Sequence, residues 1–126
     1  MFPLGWLVGY RALKTLRVTY AAGTAPADAV LIAGVSGALI VVLHMLVTVS
    51  KAATATKVAF RAGFGATTPT GAGVVASHAG IAAGGGFYSG QGLLGVSAEG
   101  EDLRYTADDP VVGDVDINVG YVVLKP

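Results

Sequence analysis

The chain contains no cysteine, which excludes disulfide bridges and thiolate metal sites. It is also poor in charge. Charged residues make up 13% of its 126 positions, against about 25% in ordinary soluble domains. Eight acids balance eight bases, so there is no basic surplus to displace the counterions of a nucleic acid. From Ala29 to Ser50 there is no charged side chain at all. A monomer this poorly charged solvates badly, so much of its surface is expected to be covered by other subunits or another protein. The N-terminus lacks the basic region of a secretory signal, and Pro3, Gly5 and Gly9 break its apolar stretch.

What is present points to β-structure. The tail Val112–Leu124 keeps a period of two, with Val115, Ile117, Val119, Tyr121 and Val123 on one face and Asp114, Asp116 and Asn118 on the other. Only a half-buried strand needs that spacing. Leu16, Val18 and Tyr20 alternate with Thr15, Arg17 and Thr19 in the same way, and Val58 and Phe60 alternate with Lys57 and Arg61. The 19 glycines fit many short strands with tight turns. No stretch shows convincing helical amphipathicity. The expected fold is an all-β domain, a β-sandwich or jelly roll of about eight short strands over residues 13–126, preceded by an apolar arm over residues 1–12.

Ala29–Ser50 is long and apolar enough for a membrane-spanning helix of about 20 residues, and a small membrane protein spanning there is one alternative. Its valine and isoleucine content, the interrupting Gly34-Val-Ser-Gly37 and His44 near its middle favour two strands, about Ala29–Ala33 and Ala38–Ser50, joined by that turn. Under strict alternation the longer strand carries Leu39, Val41, Leu43, Met45, Val47 and Val49 on one face. Its other face still holds Ile40, Val42 and Leu46. A strand apolar on both faces is covered on both, so Ile40, Val42 and Leu46 are the expected oligomer interface.

Chemical motifs fail one by one. Gly90-Gln-Gly-Leu-Leu-Gly95 matches a dinucleotide fingerprint in letters, but Gly100 closes off the helix that must follow it. Asp114-x-Asp-x-Asn118 lacks the glycine and glutamate of a calcium loop and reads as the wet face of a strand. His44 and His78 have neither zinc-ligand spacing nor a motif-bearing nucleophile beside them and read as structural. Glu99 and Glu101 share a turn, and Lys51, Lys57 and Arg61 are too few for a nucleic-acid patch. No catalytic residue, metal or cofactor is implied, and no enzyme is expected.

The N-terminal arm concentrates Phe2, Leu4, Trp6, Leu7 and Tyr10, followed by Arg11. These residues either tuck into the chain's own core or dock on a partner, where Trp and Tyr are favoured anchors. Four further stretches carry a resemblance: Val35-Ser-Gly-Ala-Leu-Ile-Val-Val-Leu43, Thr56-Lys-Val-Ala-Phe-Arg-Ala-Gly63, Glu99-Gly-Glu-Asp-Leu103, and Val112-Gly-Asp-Val115 with Val119-Gly-Tyr121. Together they resemble small β-sandwich virion proteins of tailed bacteriophages, the capsid decoration or cement type among them. The resemblance implies a non-enzymatic part of the virion, on the capsid surface or as a tail-tip, neck or fibre-base module. Its expected partners are the major capsid protein or a neighbouring virion protein, and further copies of itself as a homotrimer. Phe2, Leu4, Trp6, Leu7, Tyr10 and Arg11 are then the expected partner-binding residues.

Overall fold

The computed structural model describes residues 13–21, 26–50, 58–71, 73–90, 93–107 and 114–125. Among them run nine strands: β1 (Lys14–Tyr20), β2 (Ala29–Ile32), β3 (Leu39–Val49), β4 (Val58–Phe64), β5 (Val74–Ile81), β6 (Gly86–Ser89), β7 (Gly95–Val96), β8 (Leu103–Ala107) and β9 (Val115–Leu124). They form two antiparallel sheets. The five-stranded sheet runs β1-β9-β3-β6, with β7 also paired to β3, and the four-stranded sheet runs β2-β8-β4-β5. The order has a simple logic. The chain pairs as one long hairpin, β1 with β9, β2 with β8, β3 with β6 and β4 with β5, and successive pairs fall alternately in the two sheets. A hairpin wrapped this way is a jelly roll.

The core lies between the sheets. Alternation delivers Leu16, Val18 and Tyr20 of β1 and Val115, Ile117 and Val119 of β9 to it from one side. Val58, Phe60, Leu103 and Tyr105 meet them from the other. Lys57 falls outside the described residues, and Arg61 lies on the outer side of β4, opposite Ser77 and Thr106.

Ala29–Ser50 holds the two strands expected of it, and the membrane-helix alternative falls. The segment is β2, a turn and β3, not a helix, and no helix among the described residues is long and apolar enough to cross a membrane. Nor are β2 and β3 a bonded pair. Gly34–Gly37 carries the chain from one sheet to the other. Gly34 permits this crossing because a Cβ there would meet the Gly100 carbonyl oxygen at 2.1 Å. The Gly34 amide donates to Asp102 Oδ1 at 2.6 Å, and Asp102 also pairs with Arg104 at 2.9 Å. Arg104 in turn donates to the Asp28 carbonyl oxygen. The Thr68 amide donates to Asp28 Oδ1, so β2, β8 and the β4–β5 loop are tied into one polar edge.

The face assignment along β3 also changes. The β3–β9 register runs from Val42 opposite Tyr121 to His44 opposite Gly120, skipping Leu43. This bulge switches which residues face inward. Ile40 and Val42 enter the core before it, and Met45, Val47 and Val49 after it. Ile40 and Val42 are 1% and 0% exposed. They are therefore core residues of one chain, with no surface left to offer a second subunit.

Candidate functional site

With its inner face spent on the core, β3 presents Leu39, Val41, His44, Leu46 and Thr48 to the outside of the five-stranded sheet, all partly buried. Beside them, β9 contributes Asp116, Asn118, Gly120, Val122 and Leu124, and β1 contributes Thr15, Arg17 and Thr19. On the far side of β3, Tyr88 of β6 sits opposite Leu46, and Val96 of β7 sits opposite Val41. The face grades from apolar at the end where β3 begins to polar at the end where β1 finishes.

The apolar end gathers Leu39 paired with Leu124 and Val41 paired with Val122 and Val96. Leu13, Val35, Val96 and Leu124 are exposed large hydrophobics, and the chain enters β1 through Leu13 at this same end. At the polar end, Arg17 pairs with Asp116 at 3.2 Å, and the Thr19 hydroxyl also donates to that carboxylate. The Thr19 hydrogen bond, helped by Arg17, holds the Asp116 carboxyl below its usual range.

Between the two ends lies a trough of about 400 Å³, lined by Thr15, Leu16, Arg17, His44, Leu46, Tyr88, Asn118 and Val119. Its position rests on backbone devices. The Leu43 bulge turns His44 outward. Gly120 leaves room for the imidazole to lie over β9, since a Cβ there would stand 2.0 Å from His44 Nε2. Gly90 does the same for the Tyr88 hydroxyl, which a Cβ would approach to 2.2 Å. The two rings lie 6.4 Å apart between centroids, tilted by 29°. Tyr88 is 62% exposed.

No protein-family profile matches the sequence, and no curated protein aligns with it. Solved structures do share its shape. A chain in the acidic stable capsid of Helicobacter pylori bacteriophage KHP30 superposes with a TM-score of 0.56 at 11% identity, over 90% of this chain and 91% of that one. A chain of the cyanophage Pam1 capsid gives 0.47 at 19% identity, over 87% and 84%. One from the capsid of Ralstonia phage GP4 gives 0.43 at 14%, over 87% and 83%. At such identities the likeness is one of fold.

The residues singled out from sequence are scattered by the fold. Phe2, Leu4, Trp6, Leu7, Tyr10 and Arg11 lie outside the described residues. Ile40 and Val42 belong to the core, and only Leu46 reaches the outer face, where it lines the trough. Asp116 and Asn118 do point outward, as the alternation required. His78 is on the other sheet, its Nδ1 accepting the Gly80 amide at 3.0 Å and its ring edge-on to Phe87. Glu101 closes its own turn by accepting the Ala98 amide. Among the described residues no three metal-ligating side chains converge. His44 and Tyr88 as a pair escaped the sequence reading. The signals that could have found them are a glycine inside a strictly alternating strand and a histidine inside an apolar one.

Proposed function

We propose that this chain is a structural protein of a phage virion, a decoration protein seated on the outer surface of the capsid. The observation that carries the reading is the jelly roll shared with a phage capsid chain over about nine-tenths of both molecules. The shortage of charge fits a protein that spends its life against neighbours.

In this reading the apolar arm is the anchor. Phe2, Leu4, Trp6, Leu7 and Tyr10 would supply its contacts to the capsid, since aromatic and large apolar side chains make strong anchors. Arg11 would add a charged contact to the same partner. The protein would bind the assembled lattice and not loose subunits, so its binding free energy adds to the stability of the assembled state. A homotrimer, if formed, closes over Leu39, Val41 and Leu124, not over Ile40 and Val42. No step of this role requires a catalytic group.

The test is the copy number of the chain in purified particles, by quantitative mass spectrometry against the major capsid protein. A one-to-one ratio, or a simple lattice fraction of it, is the expected result. A handful of copies would move the protein to the neck, tail or fibre base. Absence from particles would end the virion reading.

A further inference from the structure

We propose that the trough over β1, β9, β3 and β6 is a saccharide-binding site, in which a pyranose ring stacks on Tyr88. Such a site does not depend on where the protein sits in a particle. Glycine in a strand interior weakens the strand, and a bulge interrupts its ladder. Here both occur at one place. Leu43 is skipped in pairing at the point where His44 meets Gly120, and Gly120 has no Cβ where the imidazole lies. Gly90 repeats the device under the Tyr88 hydroxyl. Neither glycine belongs to the core cluster, and the bulge, which also returns Met45, Val47 and Val49 to the core, turns His44 outward. Their common effect is to lay two rings along the floor of one surface trough.

The chemistry of the lining then selects the ligand. Tyr88 offers an aromatic face to solvent, with 62% of its surface exposed. That face is negative, so it attracts the weakly positive C–H groups of a sugar ring. Around it stand an amide, a guanidinium and a hydroxyl, from Asn118, Arg17 and Thr15, with the His44 imidazole beside the ring. The amide and the hydroxyl can both donate to and accept from sugar hydroxyls, and the guanidinium donates to them. Among the described residues no carboxylate lines the trough, and the nearby Asp116 is already engaged by Arg17 and Thr19. Of the aliphatic lining residues Leu16, Leu46 and Val119, the first and last turn their side chains to the core, which leaves too little apolar surface for a lipid or a helix face. The volume, about 400 Å³, is that of a small-ligand cleft. An aromatic platform ringed by neutral and fixed polar groups suits a hexopyranose.

The experiment is an amide-detected NMR titration of the full chain with trisaccharides of glucose, galactose, mannose and N-acetylglucosamine at millimolar concentration. At least one is expected to give saturable shifts centred on His44, Tyr88 and Asn118. Tyr88→Ala should then weaken binding about tenfold or more, and Tyr88→Phe should stay within about threefold, because the stacking face is kept. Gly120→Ala, which displaces the imidazole, and Asn118→Ala should each weaken it as well. Tyr88 and Asn118 lie outside the core, so their variants keep the dispersed spectrum of the folded sandwich. If no sugar in the panel saturates, the proposal is overturned. It is equally overturned if one binds and Tyr88→Ala binds it as tightly.

Discussion

Ile40 and Leu46 are both large aliphatic residues of β3, six positions apart. Strict alternation would put them on one face, whereas the Leu43 bulge puts Ile40 inside and Leu46 outside. Truncating each to alanine separates the two arrangements. Ile40→Ala removes three carbons from a site that is 1% exposed. At about 0.8 kcal/mol per buried carbon the transfer loss alone is about 2.4 kcal/mol. The cavity left in a tight interior raises the total to about 3–4 kcal/mol. Leu46→Ala acts on a half-buried side chain that borders a solvent-filled trough, where water replaces what is lost, and should cost about 1 kcal/mol. Urea denaturation followed by circular dichroism measures both, with the m-value unchanged if both variants remain two-state. Equal losses, or a larger loss at Leu46, would refute the bulge and restore the uninterrupted strand.

Gly34→Ala should destabilise the fold by about 1–3 kcal/mol, because the new methyl meets backbone of Gly100 and Glu101 and no side chain can swing aside; a midpoint within error of the parent in thermal melts would contradict that contact. Acid should weaken the protein through three carboxylates held below their ordinary value of 3.8 by hydrogen bonds: Asp28 from the Thr68 amide, Asp102 from the Gly34 amide and Asp116 from the Thr19 hydroxyl. Their folded pKa values lie below the unfolded ones, so this stabilisation is complete above the unfolded value and disappears as pH falls through the lowered values. Denaturation midpoints taken from neutral pH to about pH 2 should show the loss, and Asp102→Asn should flatten it. An unchanged slope in that variant would remove Asp102 from the account. Deleting Met1–Tyr10 should abolish co-sedimentation with capsids while leaving the β-sheet spectrum intact. Binding that survives the deletion would sink the arm as anchor.

The fold was legible wherever strands alternate without interruption. On β1, β4 and β9 a single period of two runs the length of the element, and Leu16, Phe60 and Ile117 face inward as that period requires. Chain order did not show which strands share a sheet. Gly34–Gly37 looks like a hairpin turn because its glycines and serine are turn residues, yet it links β2 and β3 across the sandwich. A crossing and a hairpin use the same local chemistry. They differ only in where β8 and β9 later come to lie.

On β3 uniform alternation fails, and with it the expectation that Ile40 and Val42 form an oligomer interface. A strand whose apolar set changes sides at a bulge looks, under uniform alternation, apolar on both faces. Ile40 and Val42 then appear as a second hydrophobic surface in need of a subunit. In the structure they and Met45, Val47 and Val49 form one continuous inner face. In the proposed role the apolar surface open to neighbours is that of Leu39, Val41, Val96 and Leu124. The trough escaped for the opposite reason. Its lining comes from residues 15 to 119, so no motif could hold it. What the sequence did carry was two anomalies more than seventy positions apart: a histidine inside an apolar strand and a glycine inside an alternating one. Each alone has an ordinary explanation. Their meeting at one register position, His44 opposite Gly120, makes them a single feature, because the ring can lie flat only where the facing strand has no side chain.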